Sequence, residues 1–503
     1  MSTIFQSQRA AAIAALAAGA FTVLGFAPTG FWPIPFLTLA ALWTLWRRAA
    51  TPGNAFARGF AFGTGLFGAG VSWVYVSLHD FGLMPAPIAA FATLAFCAVL
   101  SFYPAAAGWC FARLRLRHPL AAAAGFAALW AIAEWLRGWV FTGFPWLAVG
   151  YSQSDSPLSG FAPLAGVFAV SAVTALCAAL LGVLVSGERK TRVASLATLA
   201  LVFAIGGVAQ RTSWTAPQGE PVAVALLQGN IPQDLKFQPE RYFATLATYR
   251  RLIDASNARL IVLPETAIPV FLDAVDPRYL KSIAQSAMAR DADVIIGAPL
   301  REPGGGFFNS VVTLGASPSQ RYDKSHLVPF GEFVPAGFGW IVKTLSIPLS
   351  DFTRGTPDPK PLAVSGQLVA TDICYEDAFG EEIIRQLPQA TLLVNVSNVA
   401  WFGDSLAPAQ HLQMSRMRAM ETERFMLRST NTGVTAIVDP HGRVVGRLPE
   451  FIEGLLRGEV QGRSGATPYV KFGNVPIVLI CLALLAAVAF HARRSVGAAG
   501  ESR

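Results

Sequence analysis

Three short stretches of the chain contain residue types that together can perform nucleophilic catalysis. Cys374 lies in "DICYED", Glu265 in "LPETA" and Lys324 in "YDKSHLVPFGE". A cysteine can attack a carbonyl carbon, a glutamate can take the thiol proton, and a lysine can stabilise the oxyanion that the attack creates. Acidic residues flank Cys374, and their charge opposes ionisation of the thiol. The sulfur is therefore either inert or activated from elsewhere in the chain.

The pattern around these residues places them at strand ends in an α/β domain. The segments 259–265 and 367–376 read as buried strands, and they end near Glu265 and Cys374. Loops beyond strand ends commonly carry active sites in such folds. The pattern further predicts the following elements: strands over 222–228 and 293–300, paired strands around "NSVVTLG" and "QRYDKSHLV", helices over 276–291 and 407–428, and a hairpin about "DPHG".

The composition indicates a membrane protein with a globular part. The chain has 503 residues, of which 53% are hydrophobic and 14% charged, whereas soluble domains carry about 25% charged residues. About 20 apolar residues cross a bilayer. The candidate spans are 10–27, 31–46, 56–78, 86–112, 119–137, 162–186, 191–209 and 475–492. We therefore expect a seven-helix membrane domain over 1–210, a catalytic domain over 211–474, and a last helix with its tail over 475–503.

The formal net charge of +8 reflects topology rather than nucleic-acid binding. The basic excess is scattered over short connections on one side of the predicted spans, whereas residues 211–474 are nearly balanced in charge. Basic connections remain in the cytoplasm. We therefore expect eight spans in the bacterial inner membrane, with cytoplasmic termini and a periplasmic catalytic domain. A nucleic-acid partner is not expected, because the basic residues form no single patch.

Five motifs carry a resemblance to a known family. They are "QGNIPQDLKF", "LPETA", "YDKSHLVPFGEFVP", "DICYED" and "NVSNVAWFGDSLAPAQHLQMSRMRAMETER". They resemble the nitrilase superfamily and, with apolar spans on both sides, its apolipoprotein N-acyltransferase family. The resemblance implies a polytopic α-helical membrane domain plus an extracytoplasmic α/β nitrilase-like domain, an α-β-β-α sandwich. It also implies that Glu265 is the general base, Lys324 the oxyanion holder and Cys374 the nucleophile.

The resemblance assigns further residues to the site. Glu332 is expected to orient Lys324 or to handle protons, and Tyr375 and Glu376 are expected beside the nucleophile, although shaping a turn would also explain both. Phe237 stands where the family has tryptophan, so it keeps an aromatic face but lacks the indole N–H. Trp401 is either a core aromatic residue or, as we favour, a wall of the acyl pocket.

An apolar stretch over 333–352 follows Glu332 directly. It is too short and too interrupted by glycine and proline to cross a bilayer comfortably. We favour a lid that dips into the outer leaflet and admits lipid chains, with Trp340 at the headgroup level. The alternative is a loop folded onto the core of its own domain.

The reaction implied by the resemblance is an acyl transfer in two steps. A phospholipid, with phosphatidylethanolamine as the expected donor, acylates Cys374. The α-amine of a diacylglyceryl apolipoprotein then takes the acyl chain. No cofactor or metal is expected, and the protein is expected to act as a monomer.

Two other functions remain open from the sequence: a membrane-anchored amidase of the nitrilase type that uses water, and a non-enzymatic lipoprotein-binding protein. Three histidines could form a protease-like pair with Cys374, but surface or packing roles are favoured for His326, His411 and His441. Glu134 and Arg137 lie three residues apart near a span end, where an interfacial salt pair is favoured over a functional site.

The charge bias generates a topology prediction. A periplasm-specific reporter fused at about residue 300 should be active, because the basic connections hold the opposite side of the spans in the cytoplasm. A cytoplasm-specific reporter at the same position serves as the control. Activity of the cytoplasmic reporter there would contradict both the topology and the lipoprotein substrate.

Overall fold

The computed structural model describes residues 7–302, 304–334 and 351–500, without the side chains of 493–500. The chain forms two compact units. The first comprises residues 1–75, 86–212 and 471–503, and the second comprises 76–85 and 213–470.

Apolar helices build the first unit. They are α1 (Gln8–Thr22), α2 (Ile34–Arg47), α3 (Pro52–Gly70), α4 (Trp73–Val76, at the unit boundary), α5 (Ala86–Leu114), α6 (Pro119–Arg137), α7 (Ala162–Ser186), α8 (Arg189–Ala209) and the last helix, Val475–Gly500. Among the described residues, six helices are long and apolar enough to cross a membrane, or seven if the bent pair Pro52–Gly70 and Trp73–Phe81 is one span. Helix α2 has 14 residues and rises only about 21 Å. The expectation of eight spans therefore stays a prediction.

Glycines allow the helices of this unit to pack with their backbones in contact. A Cβ atom on Gly19 would lie 1.9 Å from the Phe62 carbonyl oxygen, and one on Gly65 would lie 1.9 Å from that of Leu16. Close backbone approach of this kind is the usual way that helices associate where lipid removes the hydrophobic driving force. The helices α1 and α3 can pack in this way only with glycine at those positions.

Glu134 and Arg137 are both buried in the first unit. Glu134 accepts hydrogen bonds from Trp130 Nε1 and from the backbone N–H of Val149, each at 2.9 Å. Arg137 donates to the Trp146 carbonyl at 2.6 Å. The two side chains thus fix the connection that follows α6.

Two six-stranded sheets form the centre of the second unit. The first has the order β12-β1-β2-β3-β4-β5 and the second β11-β10-β9-β8-β7-β6. Their strands are β1 (Thr215–Gln228), β2 (Leu260–Val262), β3 (Asp293–Arg301), β4 (Phe307–Gly315), β5 (Arg321–Asp323), β6 (Leu362–Val364), β7 (Gln367–Ile373), β8 (Leu392–Ser397), β9 (Met426–Thr430), β10 (Ala436–Val438), β11 (Val444–Arg447) and β12 (Gly454–Gly465). The strands β1, β2 and β3 are parallel, and so are β7, β8 and β9.

Helices cover the outer face of each sheet. One apolar core lies between the sheets and includes Val262 of β2 and Ile373 of β7. A second packs α9 (Tyr242–Asp254) and α10 (Pro277–Met288) on the first sheet. A third packs α11 (Gly380–Ile383), α12 (Ala407–Thr422) and α13 (Pro468–Phe472) on the second sheet. The layers follow the order helix, sheet, sheet, helix, so the predicted α-β-β-α sandwich is confirmed.

The predicted helix over 407–428 is too long, because it ends at Thr422 and β9 begins at Met426. Glu423 adopts a left-handed backbone with φ of 48°. Its carboxylate accepts hydrogen bonds from the backbone N–H groups of Trp214 and Thr215, at 2.8 and 3.0 Å. Pairing of β9 between β8 and β10 outweighs the local helix propensity, which is a weak determinant in tertiary context.

The strand order brings the backbone of β3 close to the loop that carries Glu265. A Cβ atom on Gly297 would lie 2.5 Å from the Pro264 carbonyl oxygen and 2.7 Å from the Glu265 Cα. Gly297→Ala should therefore displace Glu265 and cost about 1–3 kcal/mol of unfolding free energy, as overpacking does. Denaturant unfolding and acyl-transfer rates would measure the two effects. Gly304→Ala is the control, since a Cβ there meets nothing within 4 Å; equal behaviour of the two variants would contradict the prediction.

Candidate active site

Glu265 follows β2 and is held as a carboxylate by three neighbours. Its Oε1 accepts a hydrogen bond from Asn309 Nδ2 at 2.7 Å, and its Oε2 accepts one from the backbone N–H of Asn398 at 2.7 Å. Lys324 Nζ lies 3.7 Å from Oε1. Burial raises the pKa of Glu265, but the charge of Lys324 and the other polar neighbours outweigh burial and lower it overall. The group is therefore charged at neutral pH and able to accept a proton.

Lys324 follows β5 and lies between two carboxylates. Its side chain is 1% exposed, and its Nζ lies 2.9 Å from Glu332 Oε1 and 3.7 Å from Glu265 Oε1. Burial alone lowers the pKa of Lys324, but the charges of Glu332 and then Glu265 raise it well above its ordinary value. The ammonium therefore stays protonated and can stabilise negative charge that develops nearby.

Glu332 binds the same two partners from the other side. Its Oε1 accepts hydrogen bonds from Asn309 Nδ2 at 2.8 Å and from Lys324 at 2.9 Å, and its Oε2 accepts one from the backbone N–H of Val328 at 2.9 Å. The Asn309 amide thus joins Glu332 to Glu265. This geometry suits the expected role of Glu332 in orienting Lys324.

Cys374 is half-buried and directly follows β7 with a left-handed backbone, φ being 57°. This conformation is strained for a residue with a side chain, and such strain is typical of functional sites. Burial raises the pKa of the Cys374 thiol, Glu265 raises it further, and Lys324 offsets only part of the rise. The sulfur therefore rests as a thiol, and attack requires simultaneous removal of its proton.

A buried polar cluster holds the backbone of Cys374. The Cys374 carbonyl accepts hydrogen bonds from Asn395 Nδ2 at 3.2 Å and from His411 Nε2 at 3.1 Å. His411 Nε2 also lies 2.6 Å from Asp377 Oδ1; since both partners are acceptors, this nitrogen carries the proton. Arg428 Nη1 donates to Asp377 Oδ2 at 3.0 Å and to Asn395 Oδ1 at 2.7 Å. The cluster therefore fixes the strained turn at the nucleophile.

The three histidines have contacts that suit packing roles. His411 contacts the carbonyl of Cys374, as described above. His326 stacks on Phe379 with ring centroids 3.7 Å apart, and its Nδ1 lies 2.9 Å from Glu382 Oε1. His441 lies in the turn between β10 and β11. These contacts do not favour a protease-like Cys–His pair.

Glu376, beside Cys374, accepts several hydrogen bonds through both of its carboxylate oxygens. Its Oε1 accepts from the backbone N–H groups of Ser325 and His326, at 2.7 and 2.9 Å, and from the Ser325 hydroxyl at 3.0 Å. Its Oε2 accepts from Tyr322 Oη and from the backbone N–H of Ile373, each at 2.8 Å. Glu376 therefore ties the turn after Lys324 to the turn at Cys374. Its neighbour Tyr375 is buried against Phe379, with ring centroids 5.0 Å apart.

The expected substrate-contacting residues lie on the surface of this unit, as far as it is described. Phe237 is 45% exposed and Trp401 is 37% exposed. Trp401 packs edge-on against Phe81 of segment 76–85, with centroids 6.4 Å apart. An exposed aromatic ring suits a pocket wall better than a core position. Trp340 and most of the expected lid lie outside the described residues.

Several residues of the site were missed in the sequence. Asn309, Asn395 and Arg428 lie inside the buried strands β4, β8 and β9, each directly after an apolar residue. A polar side chain within a buried strand needs a polar partner. A polar residue in a strand predicted to be buried was therefore the sequence feature that could have identified these three. Lys236, also missed, is buried and donates to the Glu265 carbonyl.

The matching family models and the relatives of high sequence identity point to one family. Residues 18–180 match the apolipoprotein N-acyltransferase N-terminal domain, and residues 223–469 match the carbon-nitrogen hydrolase domain. The chain is 53% identical to an apolipoprotein N-acyltransferase of Nitrosomonas europaea, over 96% of this chain and 98% of the relative. It is 46% identical to one of Chromobacterium violaceum, over 94% and 92%. The NitFhit protein of C. elegans aligns with 18% identity and a TM-score of 0.39, over 50% of this chain and 62% of that one.

The hydrogen bonds of Glu376 generate a prediction. Glu376→Gln should lower the unfolding free energy by roughly 2–3 kcal/mol, because the new amide N–H group faces donors and leaves at least one of them unpaired. Activity should fall as well, since both turns lose their common anchor. Denaturant unfolding and acyl-transfer assays would measure both effects.

The matched control is Glu382→Gln, which makes the same change at a partly exposed carboxylate beside His326. It should alter both quantities little. Equal losses in the two variants would show that Glu376 has no special anchoring role.

Proposed function

The chain belongs to the apolipoprotein N-acyltransferase family, and we propose that it transfers an acyl chain from a phospholipid, through a thioester on Cys374, to the α-amino group of an S-diacylglyceryl-cysteine apolipoprotein. The observation that carries the proposal is the convergence of a buried carboxylate and a buried ammonium, Glu265 and Lys324, 3.7 Å apart. Their charges are among the largest influences on the pKa of the Cys374 thiol.

In the first step Cys374 attacks the ester carbonyl of the phospholipid. Glu265 takes the thiol proton as the carbon–sulfur bond forms, and Lys324 stabilises the oxyanion of the tetrahedral intermediate. The carbon–oxygen bond then breaks, and Glu265 returns the proton to the departing oxygen. The products are a thioester on Cys374 and a lysophospholipid. The raised pKa of the thiol fits a step in which proton removal accompanies attack.

In the second step the neutral α-amine of the apolipoprotein attacks the thioester carbonyl. Glu265 takes a proton from the nitrogen, Lys324 again stabilises the oxyanion, and Cys374 leaves with the proton that Glu265 returns. The products are an amide and the free thiol. The thioester must be shielded from water between the steps, or it would be hydrolysed.

The surroundings of the triad supply supporting roles. Glu332 orients Lys324, Glu376 and Tyr375 shape the turns on either side of the nucleophile, and Phe237 and Trp401 contact the acyl chain or its carrier. Trp340 belongs to a lid at the entrance. The roles of Glu332, Glu376 and Tyr375 rest on the contacts described above. Those of Phe237, Trp401 and Trp340 rest on residue type and on the sequence pattern.

The proposed placement of the protein follows from the charge pattern and the apolar helices. The catalytic domain over 211–474 lies on the periplasmic side of the inner membrane, between a membrane domain over 1–210 and a last helix over 475–503. Eight spans place both termini in the cytoplasm. The donor is phosphatidylethanolamine, and the protein acts as a monomer.

The acyl-enzyme provides the test. Incubation with phospholipid alone should add one acyl mass to the Cys374 peptide, detected by mass spectrometry, and Cys374→Ala should abolish it. Glu265→Gln and Lys324→Ala should each slow acylation by about 10²–10³-fold or more, as loss of a base or an oxyanion donor does. Combining them should add little, since the residues act as one unit.

Cys110→Ala is the control, because Cys110 is also half-buried but lies in α5. It should leave acylation unchanged. Acyl transfer by Cys374→Ala at a near-normal rate would exclude Cys374 as the nucleophile. An enzyme that hydrolyses a small amide but is never acylated by phospholipid would instead be an amidase.

A further inference from the structure

Lys236 is a buried lysine beside the triad that the acyl-transfer scheme above does not use. It lies in the segment 233–237, next to Phe237, and only 1% of it is exposed. Its ammonium donates a hydrogen bond to the backbone carbonyl of Glu265 at 3.2 Å. Burying a lysine is costly unless the charge has a compensating partner. Lys236 must therefore be stabilised by negatively charged or hydrogen-bonding groups near it.

The segment that carries Lys236 contacts Glu265 from two directions. Lys236 binds the Glu265 carbonyl, directly before Thr266, whose backbone is left-handed with φ of 49°. Gln233 accepts a hydrogen bond from Asn398 Nδ2 at 2.8 Å, and the backbone N–H of Asn398 donates to the Glu265 carboxylate at 2.7 Å. Both the backbone and the carboxylate of Glu265 are thus tied to this segment.

Lys236 adds a second cation to the charged side chains nearest Glu265. Glu265 and Glu332 are two carboxylates, and Lys324 is one cation between them. A protonated Lys236 brings this group to neutrality. When Glu265 takes the thiol proton and an oxyanion forms, the sum of charges stays unchanged. Without Lys236, the oxyanion would form in a buried site that already carries excess negative charge, which a low dielectric penalises strongly.

We propose that Lys236 is a positioning residue for acyl transfer: its ammonium fixes the Glu265 turn and keeps the Glu265 carboxylate ionised until it accepts the proton of Cys374. This inference rests on the proposed function, because it assigns Lys236 a role through Glu265. Lys236 need not touch the substrate to act in this way.

The ionisation of Lys236 makes the role measurable. Burial lowers the pKa of Lys236 to about 8, although the charges of Glu265 and Cys374 oppose the decrease. The titratable groups that act on Glu265 include Lys236, Lys324, the Cys374 thiol and, through the Asn309 amide, Glu332. The rate of Cys374 acylation should therefore rise with pH as Glu265 ionises and fall as Lys236 loses its proton near pH 8.

The experiment compares the pH profile of Cys374 acylation in the full-length protein, Lys236→Met and Lys236→Arg. Single-turnover acylation by phosphatidylglycerol in detergent, followed by intact-protein mass spectrometry from about pH 5 to about pH 10, avoids a donor that carries an amine of its own. Thermal unfolding of each variant reports folding. Lys281→Met is the matched control, since Lys281 is exposed on α10.

Lys236→Met should slow acylation about tenfold or more on the acidic limb of the profile, because a rise of one unit in the pKa of Glu265 lowers its ionised fraction about tenfold below that pKa. Near neutral pH it should show the reduced rate that the parent protein reaches only when Lys236 loses its proton. Its rising limb should shift to higher pH, and its falling limb near pH 8 should vanish. Lys236→Arg should keep the rising limb and move the falling limb upward, since arginine stays charged. Lys281→Met should match the parent protein.

Unchanged profiles in both Lys236 variants would overturn the inference and leave the proposed function intact. If Lys236→Met does not fold, the pH profile of Lys236→Arg decides the question. A falling limb near pH 8 that Lys236→Arg leaves unchanged would overturn the inference. A parent protein that phospholipid never acylates on Cys374 would overturn the proposed function, and the role of Lys236 with it.

Discussion

The burial of Lys324 between Glu265 and Glu332 is the interaction on which the catalytic unit depends. Three charged side chains removed from water are tolerated only when each finds partners of opposite charge and hydrogen bonds for its remaining atoms. Asn309 meets this requirement for both carboxylates at once, at 2.7 and 2.8 Å. The strand β4, which carries Asn309, lies between β3 and β5 in the first sheet.

The second sheet supplies the proposed nucleophile and the cluster that holds it. Cys374 follows β7, while Asn395 and Arg428 project from the neighbouring strands β8 and β9. Glu265 and Lys324 follow strands of the first sheet. The site thus draws its carboxylate and cation from one sheet and its sulfur from the other, and the apolar core between the sheets holds the two halves in place. The packing of that core therefore also determines how the two halves of the site align.

The sequence predicted the elements that end at the site more accurately than it predicted the contacts within the site. The strands before Glu265 and Cys374 and the hairpin about "DPHG" follow from local patterns of apolar and turn-forming residues, and the sandwich followed from the family resemblance. The helix end at Thr422 did not, because it is set by hydrogen bonds that Glu423 accepts from the backbone N–H groups of Trp214 and Thr215, more than two hundred positions away. Asn309 and Lys236 were missed for a similar reason, because their partners are distant in the chain. A polar residue in a buried strand indicates that Asn309 needs a partner, but no local pattern identifies which one.

The protonated resting state of Cys374 also bears on how long the protein survives in an oxidising environment. Peroxides attack thiolates, and a sulfenic acid is rescued most directly by condensation with a second thiol. Cys374 is the single cysteine of residues 213–470, so the catalytic unit has no such rescuer of its own. Burial and the charge of Glu265 keep the sulfur protonated and so protect it from oxidants. The same burial and charge that keep Cys374 protonated until a substrate binds would therefore also slow its oxidation.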